Sequence, residues 1–276
     1  MVITLYQHNI AWAQPEENRR QVAEALASVP SETDIFVVPE TFTTGFGDHM
    51  ASLAEAPDGP TLRWAQEMAS KHNVLLVGTW IVREGNCCFN RLHWVLPDGT
   101  YGFYDKAHTF RPSGEHDIIS RGTCRTVFEY KGWRIKPAVC YDLRFPKWLR
   151  NDGLAPQSPA PANHVPSPSS RGQVLAPATP YDLLLVCANW PASRREAWTT
   201  LLRARAIENL SYVVGCNRTG IDGVGGEYSG DSAIVDYKGF SMPVGTADGS
   251  LCLTATLDRQ RLDSFRQKWP LYLDFD

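Results

Sequence analysis

Short apolar runs that alternate with amphipathic stretches constrain the fold of this chain more than any other feature of its sequence. Asp34-Ile-Phe-Val-Val-Pro-Glu40 is one such run, and its continuous apolar character is typical of a strand buried on both faces of a sheet. Arg194 to Leu210 is predicted to form a long helix. Cys87 to Leu96 and Thr100 to Tyr104 are predicted to pair as an antiparallel hairpin around Pro97-Asp98-Gly99. Because strands and helices alternate and many strands come in pairs, the pattern favours an α/β fold with two mixed sheets between helices.

The remaining elements follow from the same periodicities. Pro15 lies where the first turn of a helix is expected, with two acidic residues behind it, and this helix is predicted to run to about Ser28. Further helices are predicted at Thr61 to His72 and Asp258 to Lys268. We expect all these elements to form a single domain over residues 1–276. The other predicted strands are Val2 to Ile10, Val74 to Val82, Arg125 to Tyr130, Trp133 to Val139, Tyr181 to Cys187, Ser211 to Cys216, Ser232 to Tyr237 and Leu251 to Leu257.

Composition argues against several classes of protein. The net charge of the 276 residues is −3, so no general attraction to nucleic acid or to an anionic membrane is expected. No apolar run approaches the roughly 20 residues that cross a bilayer, and the first residues are predicted to form a strand rather than a signal peptide. The seven cysteines are scattered, odd in number and without a C-x-x-C pair. They indicate a reduced setting, and we expect a cytoplasmic protein with no metal and no cofactor.

The segment from Asn151 to Pro180 breaks the alternating pattern. It is rich in proline, serine and alanine, has almost no periodicity and contains little that a core could bury. We therefore expect a mobile surface insertion at about 151–180. A proline-rich segment that binds a partner is a weaker alternative, because the stretch has no aromatic anchor.

The stretch from Ile135 to Pro146 places a thiol at the end of a strand. It is predicted to form a short buried strand that stops at Cys140, followed by a turn into a helix near Pro146. A thiol at such a junction can project above the sheet, with the backbone N–H groups of the turn directed at the group that it attacks. The alternative is a buried structural cysteine, since free cysteine is among the most buried residue types.

Two more ionisable residues lie at predicted strand ends. Glu40 ends the run from Ile35, and Lys106 follows the strand that ends at Tyr104. Because functional groups gather at the carboxyl ends of strands in open α/β sheets, we expect Glu40, Lys106 and Cys140 to converge. The carboxylate can accept the thiol proton, and the ammonium can stabilise the oxyanion that forms when the thiolate attacks a carbonyl or nitrile. A strand cap at Glu40 and a lysine that reaches solvent are the alternatives.

Three blocks of sequence around these residues resemble the signature blocks of the nitrilase superfamily of carbon–nitrogen hydrolases. They are Pro39-Glu-Thr-Phe42, Tyr104-Asp-Lys-Ala-His-Thr-Phe110 and Val139-Cys-Tyr-Asp-Leu-Arg-Phe-Pro146. The last block, together with Asn189-Trp-Pro191, is similar to the omega-amidase branch, whose members hydrolyse the terminal amide of 2-oxo-dicarboxylic acid monoamides. Outside 151–180, the resemblance continues at Ala188 to Pro191, Arg203 to Asn209, Gly215 to Gly223 and Tyr228 to Ser232.

The resemblance implies a four-layer α-β-β-α sandwich and a catalytic triad at Glu40, Lys106 and Cys140. It also implies a second glutamate, by position Glu115, that orients Lys106 or the substrate. Members of this family are commonly dimeric, so a homodimer is expected. The proline-rich insertion departs from the family pattern and puts in doubt any dimer contact carried over for that region.

An omega-amidase needs a cation that binds the carboxylate of its 2-oxo acid substrate. Arg144 is the candidate because a guanidinium binds a carboxylate bidentately, and a salt bridge on the surface or at an interface is the alternative. The N–H of Tyr141 is expected to hold the oxyanion together with Lys106. Trp190 and Phe42 are expected to form apolar walls of the substrate pocket, with ordinary core positions as the alternative.

Other functions stay open from the sequence alone. A deaminated glutathione amidase, an N-carbamoyl amine hydrolase and a nitrilase share the same triad. A catalytically silent interaction protein, or a cysteine–histidine hydrolase that uses His108, is a weaker alternative. Gly220 to Gly230 lacks the G-x-G-x-x-G spacing of a phosphate-binding segment and is interpreted as a loop. Cys87-Cys88 with His93 lacks metal-ligand spacing and is interpreted as hairpin core. Arg194-Arg195 is interpreted as surface or internal salt bridges.

Overall fold

The chain folds into strands and helices that alternate along most of its length. The computed structural model describes residues 1–152, 174–175, 180–244 and 251–274. No helix over these ranges is both long enough and apolar enough to cross a membrane. The strands are β1 Val2–Tyr6, β2 Ile35–Val37, β3 Leu75–Glu84, β4 Cys87–Val95, β5 Tyr101–Asp105, β6 Val127–Tyr130, β7 Trp133–Val139, β8 Val174–Leu175, β9 Leu183–Ala188, β10 Tyr212–Asn217, β11 Thr219–Ile221, β12 Glu227–Ser229, β13 Ala233–Val235 and β14 Cys252–Thr256. The helices are α1 Pro15–Ser28, α2 Pro60–His72, α3 Glu115–Ile118, α4 Pro146–Leu149, α5 Arg195–Asn209 and α6 Arg259–Lys268.

Two mixed six-stranded sheets lie face to face at the centre of the molecule. The first has the order β14-β1-β2-β3-β4-β5, in which β1, β2 and β3 run parallel and the other neighbours antiparallel. The second has the order β13-β10-β9-β7-β6-β8, in which β10, β9 and β7 run parallel. The predicted α/β fold with two mixed sheets is therefore confirmed.

Side chains alternate between the two faces of each sheet because successive residues of a strand point in opposite directions. Ile35 and Val37 of β2 pack between the sheets, whereas Phe36 and the following Val38 pack against α1 and α2. The leucines of β9 alternate in the same way, with Leu184 packed against α5. The result is the expected four layers of helix, sheet, sheet and helix.

One segment differs from its predicted structure, and another lies largely outside the described residues. The glycine-rich stretch interpreted as a loop is a small hairpin, because β11 and β12 pair antiparallel on either side of Asp222 to Gly226. Positive φ angles at Gly220, Gly225 and Gly230 allow the tight bends of this hairpin. The proline-rich segment 151–180 lies for the most part outside the described residues. Its described part includes β8, which pairs with the edge strand β6.

Candidate active site

The ends of four strands meet at one end of the sandwich and carry the residues of the candidate site. Glu40 and Lys106 follow β2 and β5 of the first sheet, and Cys140 and Asn189 follow β7 and β9 of the second. The structure brings the three groups of the expected triad together. Lys106 Nζ lies 2.8 Å from Glu40 Oε1, and Cys140 Sγ lies 3.8 Å from the carbonyl oxygen of Asn189, whose N–H in turn binds Glu40. The site therefore spans the interface between the two sheets.

A buried lysine links two carboxylates at the centre of the site. Lys106 Nζ donates to Glu40 Oε1 at 2.8 Å and to both oxygens of Glu115 at 3.0 and 2.9 Å, and all three side chains are buried. Burial alone would lower the pKa of Lys106, but the two carboxylates outweigh it and raise that pKa, so the ammonium stays charged. Burial raises the pKa of Glu115, although Lys106 acts in the opposite direction. Glu115, expected near the triad, thus lies against its lysine.

Two asparagines fix the orientation of Glu40. Asn90 Nδ2 donates to Glu40 Oε1 at 2.8 Å, and the backbone N–H of Asn189 donates to Oε2 at 2.8 Å. Asn189 Nδ2 also donates to the carbonyl oxygen of Glu40 and to Thr41 Oγ1, both at 2.7 Å. Thr41 has a φ of 42°, which a β-branched residue rarely adopts. Sequence reasoning missed both asparagines; only Asn189 gave a signal, since it lies in the Ala188 to Pro191 motif at a strand end.

The turn after β7 holds the thiol in a strained backbone conformation. Cys140 has a φ of 43° and begins a 3₁₀ turn that runs from Cys140 to Arg144. The first N–H groups of such a turn, including that of Tyr141, have no partner within the turn and are available to an oxyanion. Burial, followed by the charge of Glu40, raises the pKa of the Cys140 thiol well above its usual range, although Lys106 lowers it. The resting thiol keeps its proton, so attack requires a neighbouring base.

A buried carboxylate anchors this turn to the segment that carries Lys106. Asp142 accepts hydrogen bonds from the backbone N–H of Val139 at 3.0 Å and of His108 at 2.9 Å. It also accepts from the Tyr104 hydroxyl at 2.8 Å and contacts His108 Nδ1 at 2.7 Å. His108 stacks on Phe145 at 3.7 Å and does not line the cavity that holds Cys140, so its place in the structure is that of a support for the turn.

A cavity of about 520 Å³ opens above the thiol. Three of the four residues expected to bind substrate lie on its wall, namely Tyr141, Arg144 and Trp190. The expectation for Phe42 is wrong, since this residue is fully buried in the core beside α2 and contacts the rings of Trp64 at 5.7 Å and Trp80 at 6.1 Å. The other lining residues include Trp12, Phe46, Asp48, His49, Met50, Phe110, Ile118, Asn189, Arg194, Asp222, Val224 and Tyr228.

Two arginines on the cavity wall stack on aromatic rings. The guanidinium carbon of Arg144 lies 5.0 Å from the ring centre of Trp190, and that of Arg194 lies 5.1 Å from the ring centre of Phe110. Within the described ranges, neither guanidinium has a carboxylate oxygen within 4.0 Å, whereas the neighbouring Arg195 binds Asp231 at 2.6 Å. The surface salt bridge expected for both Arg194 and Arg195 is therefore found for Arg195 alone.

We also searched the described part of the chain for side chains that could bind a metal ion. No group of three or more His, Cys, Asp or Glu side chains there is arranged to hold a metal ion. Cys87 and Cys88 lie in the hairpin strand β4, and His93 of the same strand stacks on Trp80 at 3.8 Å. Cys88 and His93 are buried as expected for hairpin core, whereas this interpretation is wrong for Cys87, which is exposed.

Comparison with known proteins places these features in a family context. A model of the carbon–nitrogen hydrolase family matches residues 2–156 and 181–267 of this chain. Omega-amidase YafV of Yersinia enterocolitica is 37% identical over 274 residues, which are 99% of this chain and 96% of that protein. The 2-oxoglutaramate amidase of Bacillus subtilis is 29% identical over 275 residues, with the same shares covered. The crystal structure of XC1258 of Xanthomonas campestris, a CN-hydrolase superfamily protein, is 39% identical, with a TM-score of 0.87 and 100% of this chain and 97% of that chain covered.

Proposed function

Because this chain belongs to the carbon–nitrogen hydrolase family, we propose that it is an omega-amidase. It releases ammonia from the terminal amide of a small 2-oxo acid monoamide, 2-oxoglutaramate or 2-oxosuccinamate, and leaves the dicarboxylate. The observation that carries this proposal is the buried cluster of Glu40, Lys106 and Glu115 beside Cys140 in a chain that is similar to omega-amidases along almost its full length. The carboxylate, ammonium and thiol have complementary roles in amide hydrolysis.

The first half of the reaction forms a thioester. Glu40 accepts the proton of Cys140, and the thiolate attacks the amide carbonyl carbon. Lys106 and the N–H of Tyr141 stabilise the oxyanion of the tetrahedral intermediate. As the C–N bond breaks, Glu40 returns its proton to the nitrogen and ammonia leaves. The support for these roles is the short contact between Lys106 and Glu40 and the place of Tyr141 at the start of the 3₁₀ turn that begins at Cys140.

The second half restores the enzyme. Glu40 accepts a proton from water, and the resulting hydroxide attacks the thioester carbonyl with the same oxyanion contacts. The C–S bond then breaks, and the thiolate of Cys140 regains a proton from Glu40. The product acid loses its own proton to solvent and leaves as a carboxylate. One carboxylate thus serves both halves, which fits its fixed orientation between Asn90 and Asn189.

The far end of the substrate carries a carboxylate and a 2-oxo group. Arg144 lies on the cavity wall without a carboxylate partner among the described residues, and a guanidinium binds a carboxylate through two parallel hydrogen bonds. Tyr141 and Trp190 supply apolar surface beside the short carbon chain. We assign the carboxylate to Arg144 on this basis.

Steady-state ammonia release from a panel of substrates tests the proposal. We expect the highest kcat/KM with 2-oxoglutaramate or 2-oxosuccinamate, and much lower values with glutamine, asparagine, a nitrile, an N-carbamoyl amine and deaminated glutathione. A preference for one of the last three substrates would assign the chain to another activity of the family. The variant Cys140→Ala is expected to abolish ammonia release with thermal unfolding unchanged, whereas Cys87→Ala, at an exposed cysteine, retains activity.

We also infer that the chain works as a homodimer in the cytoplasm. Trp269, Leu271 and Leu273 carry large apolar side chains that are 46–57% exposed, which suits an interface. Cys187 and Cys216 are buried free thiols, which suits a reducing compartment. Sedimentation equilibrium is expected to give twice the monomer mass, and cell fractionation is expected to recover the protein with cytoplasmic markers. A monomer in the first measurement would contradict the dimer without affecting the proposed activity.

A further inference from the structure

We propose that Arg194 is a specificity residue, which acts with Arg144 to bind the 2-oxo acid end of the substrate and to disfavour the corresponding 2-amino acid. This inference rests on the proposed omega-amidase function and goes beyond it, because it explains how the site distinguishes 2-oxoglutaramate from glutamine. The two molecules have the same terminal amide and the same carboxylate. They differ at the 2-carbon, where a carbonyl oxygen replaces an ammonium group and a hydrogen.

Arg194 faces the cavity, unlike its neighbour in the sequence. It lies in a short 3₁₀ turn, Ala192–Arg194, that precedes α5, and it lines the cavity together with Cys140. Arg195 begins α5, binds Asp231 at 2.6 Å and does not line the cavity. Two adjacent arginines of similar exposure thus differ in environment, since one has a carboxylate partner and the other faces the site.

One tryptophan connects Arg194 to the arginine already assigned to the substrate. Trp190 Nε1 donates a hydrogen bond to the carbonyl oxygen of Arg194 at 2.9 Å. The ring of the same tryptophan lies 5.0 Å from the guanidinium carbon of Arg144. Trp190 is itself buried, so it holds the backbone of one arginine and the guanidinium of the other on one side of the cavity.

The carboxylates that line the cavity leave both guanidinium groups available. Glu115 is bound by Lys106, as is Glu40 behind it. Asp222 accepts from the Tyr228 hydroxyl at 3.0 Å and from two backbone N–H groups of its own hairpin. Asp48, on the 3₁₀ turn Asp48–Ala51, lies more than 4.0 Å from both arginines, since no ion pair joins them among the described residues. Both guanidinium groups are therefore available to an anionic ligand.

Two guanidinium groups match the functional groups of a 2-oxo acid. Its carboxylate and its carbonyl oxygen only accept hydrogen bonds, and guanidinium groups only donate them. An amino acid instead presents an ammonium, which has no acceptor capacity and repels a nearby guanidinium. Arg144 binds the carboxylate, and Arg194 donates to the oxygen at the 2-position and opposes a positive charge there. The second arginine thus adds selectivity that one arginine alone does not provide.

Arg194→Gln, with Arg195→Gln as its matched control, tests this inference. In Arg194→Gln we expect KM for 2-oxoglutaramate to rise about 10- to 100-fold, the range for loss of a hydrogen bond to a charged group, with kcat within a few-fold of wild type. The ratio of kcat/KM for 2-oxoglutaramate to that for glutamine is expected to fall by a similar factor. Arg195→Gln is expected to change neither quantity. Alkylation of Cys140 by iodoacetamide, a neutral reagent, is expected at the wild-type rate in both variants, which checks that the reacting centre is intact.

The outcomes separate this inference from the function on which it rests. If wild-type enzyme releases no ammonia from any 2-oxo acid amide, the proposed function fails. If wild type is active and Arg194→Gln keeps both the wild-type KM and the wild-type preference over glutamine, the inference alone fails. A fall in kcat with slower alkylation and an unchanged preference would also overturn it, since Arg194 would then have only a structural role.

Discussion

Asn189 binds Glu40 at both the side chain and the backbone of that residue. The amide N–H of Asn189 donates to Glu40 Oε2 at 2.8 Å, and its Nδ2 donates to the Glu40 carbonyl oxygen at 2.7 Å. Glu40 follows a strand of the first sheet and Asn189 follows a strand of the second. The position of the carboxylate therefore depends on a contact between the sheets as well as on Asn90 and Lys106 of the first sheet.

The variant Asn189→Ala tests this dependence. It removes the Nδ2 bonds to Glu40 and Thr41 but keeps the backbone N–H bond to Glu40 Oε2, so we expect kcat to fall about 10-fold and KM to change little. Asn209→Ala is the matched control, because Asn209 is also a buried asparagine that joins two segments. It ends α5 and precedes β10, so it lies at the opposite end of these parallel strands from Asn189. Steady-state kinetics of both variants, with melting temperatures, make the comparison. Equal kcat values in the two variants would contradict a positioning role for Asn189.

The variant Asp142→Asn is expected to disturb the turn that carries Cys140. An amide nitrogen would replace one carboxylate oxygen that now accepts from Val139 or His108, and two donors would then face each other. We expect the free energy of unfolding to fall by about 1–3 kcal/mol, the usual cost of an unsatisfied buried donor, and kcat to fall at least about 10-fold. Urea unfolding and ammonia release measure these effects. Asp152→Asn, at an exposed carboxylate, is the control and is expected to leave activity unchanged.

The variant Glu115→Gln distinguishes the roles of the two carboxylates that bind Lys106. In this variant the amide oxygen at position 115 can still accept from Lys106 Nζ, but the negative charge is lost. The ammonium is therefore held less firmly where the oxyanion forms, because a hydrogen bond to a neutral acceptor is weaker than one to a carboxylate. We expect kcat to fall about 10- to 100-fold, by analogy with the loss of an oxyanion contact, and KM to change little. Asp117→Asn changes an exposed carboxylate on the same short helix and is expected to retain wild-type kcat. Wild-type turnover in Glu115→Gln would show that the charge of Glu115 is not needed to position the lysine.

Stability is expected to fall as the solution becomes mildly acidic. Burial lowers the pKa of His8 from 6.5 to about 4, although its hydrogen bond to Gln21 acts in the opposite direction. Burial also lowers the pKa of His93, which stacks on Trp80. Both side chains stay neutral in the folded protein while the unfolded chain binds protons below pH 6.5. The two histidines therefore contribute fully to the free energy of unfolding above that pH. This contribution is lost as the pH falls towards their lower pKa values in the folded protein.

Urea unfolding at several pH values measures this loss. The buried histidine His8 is expected to account for about 2 kcal/mol of the decrease between pH 7 and pH 5, a window in which most carboxyl groups remain ionised. The variant His8→Asn should therefore show a shallower pH dependence, whatever its absolute stability. His116→Asn, at an exposed histidine, should keep the wild-type slope. Equal slopes in wild type and His8→Asn would mean that His8 accepts a proton in the folded state.

The sequence predicted those parts of the site that follow directly from strand ends. Glu40, Lys106 and Cys140 come at the ends of apolar runs, so the rule for the carboxyl ends of strands places them together without knowledge of the pairing. Asn90 gave no signal because it lies inside β4, and only the register of β4 against its neighbours decides which residue of that strand faces Glu40.

Local backbone geometry explains two other differences. Phe42 comes two residues after Glu40, but Thr41 between them has a φ of 42°, and the chain turns Phe42 back into the core. Arg194 and Arg195 are equivalent in sequence, and the point at which the 3₁₀ turn gives way to α5 decides which one faces the cavity. Such short turns carry no periodic signal, so periodicity does not distinguish these positions.

The division of the site between the two sheets has a consequence for synthesis on the ribosome. Glu40, Lys106 and Cys140 all emerge before the end of β9, whereas Asn189, one of the two asparagines that orient Glu40, follows only after that strand of the second sheet. A nascent chain that stops short of this point therefore has the three reacting groups without one of the two asparagines that orient the carboxylate. Proteolysis that separates the two sheets would remove the thiol of the second sheet from the carboxylate and the ammonium of the first. Activity therefore requires that both sheets stay together.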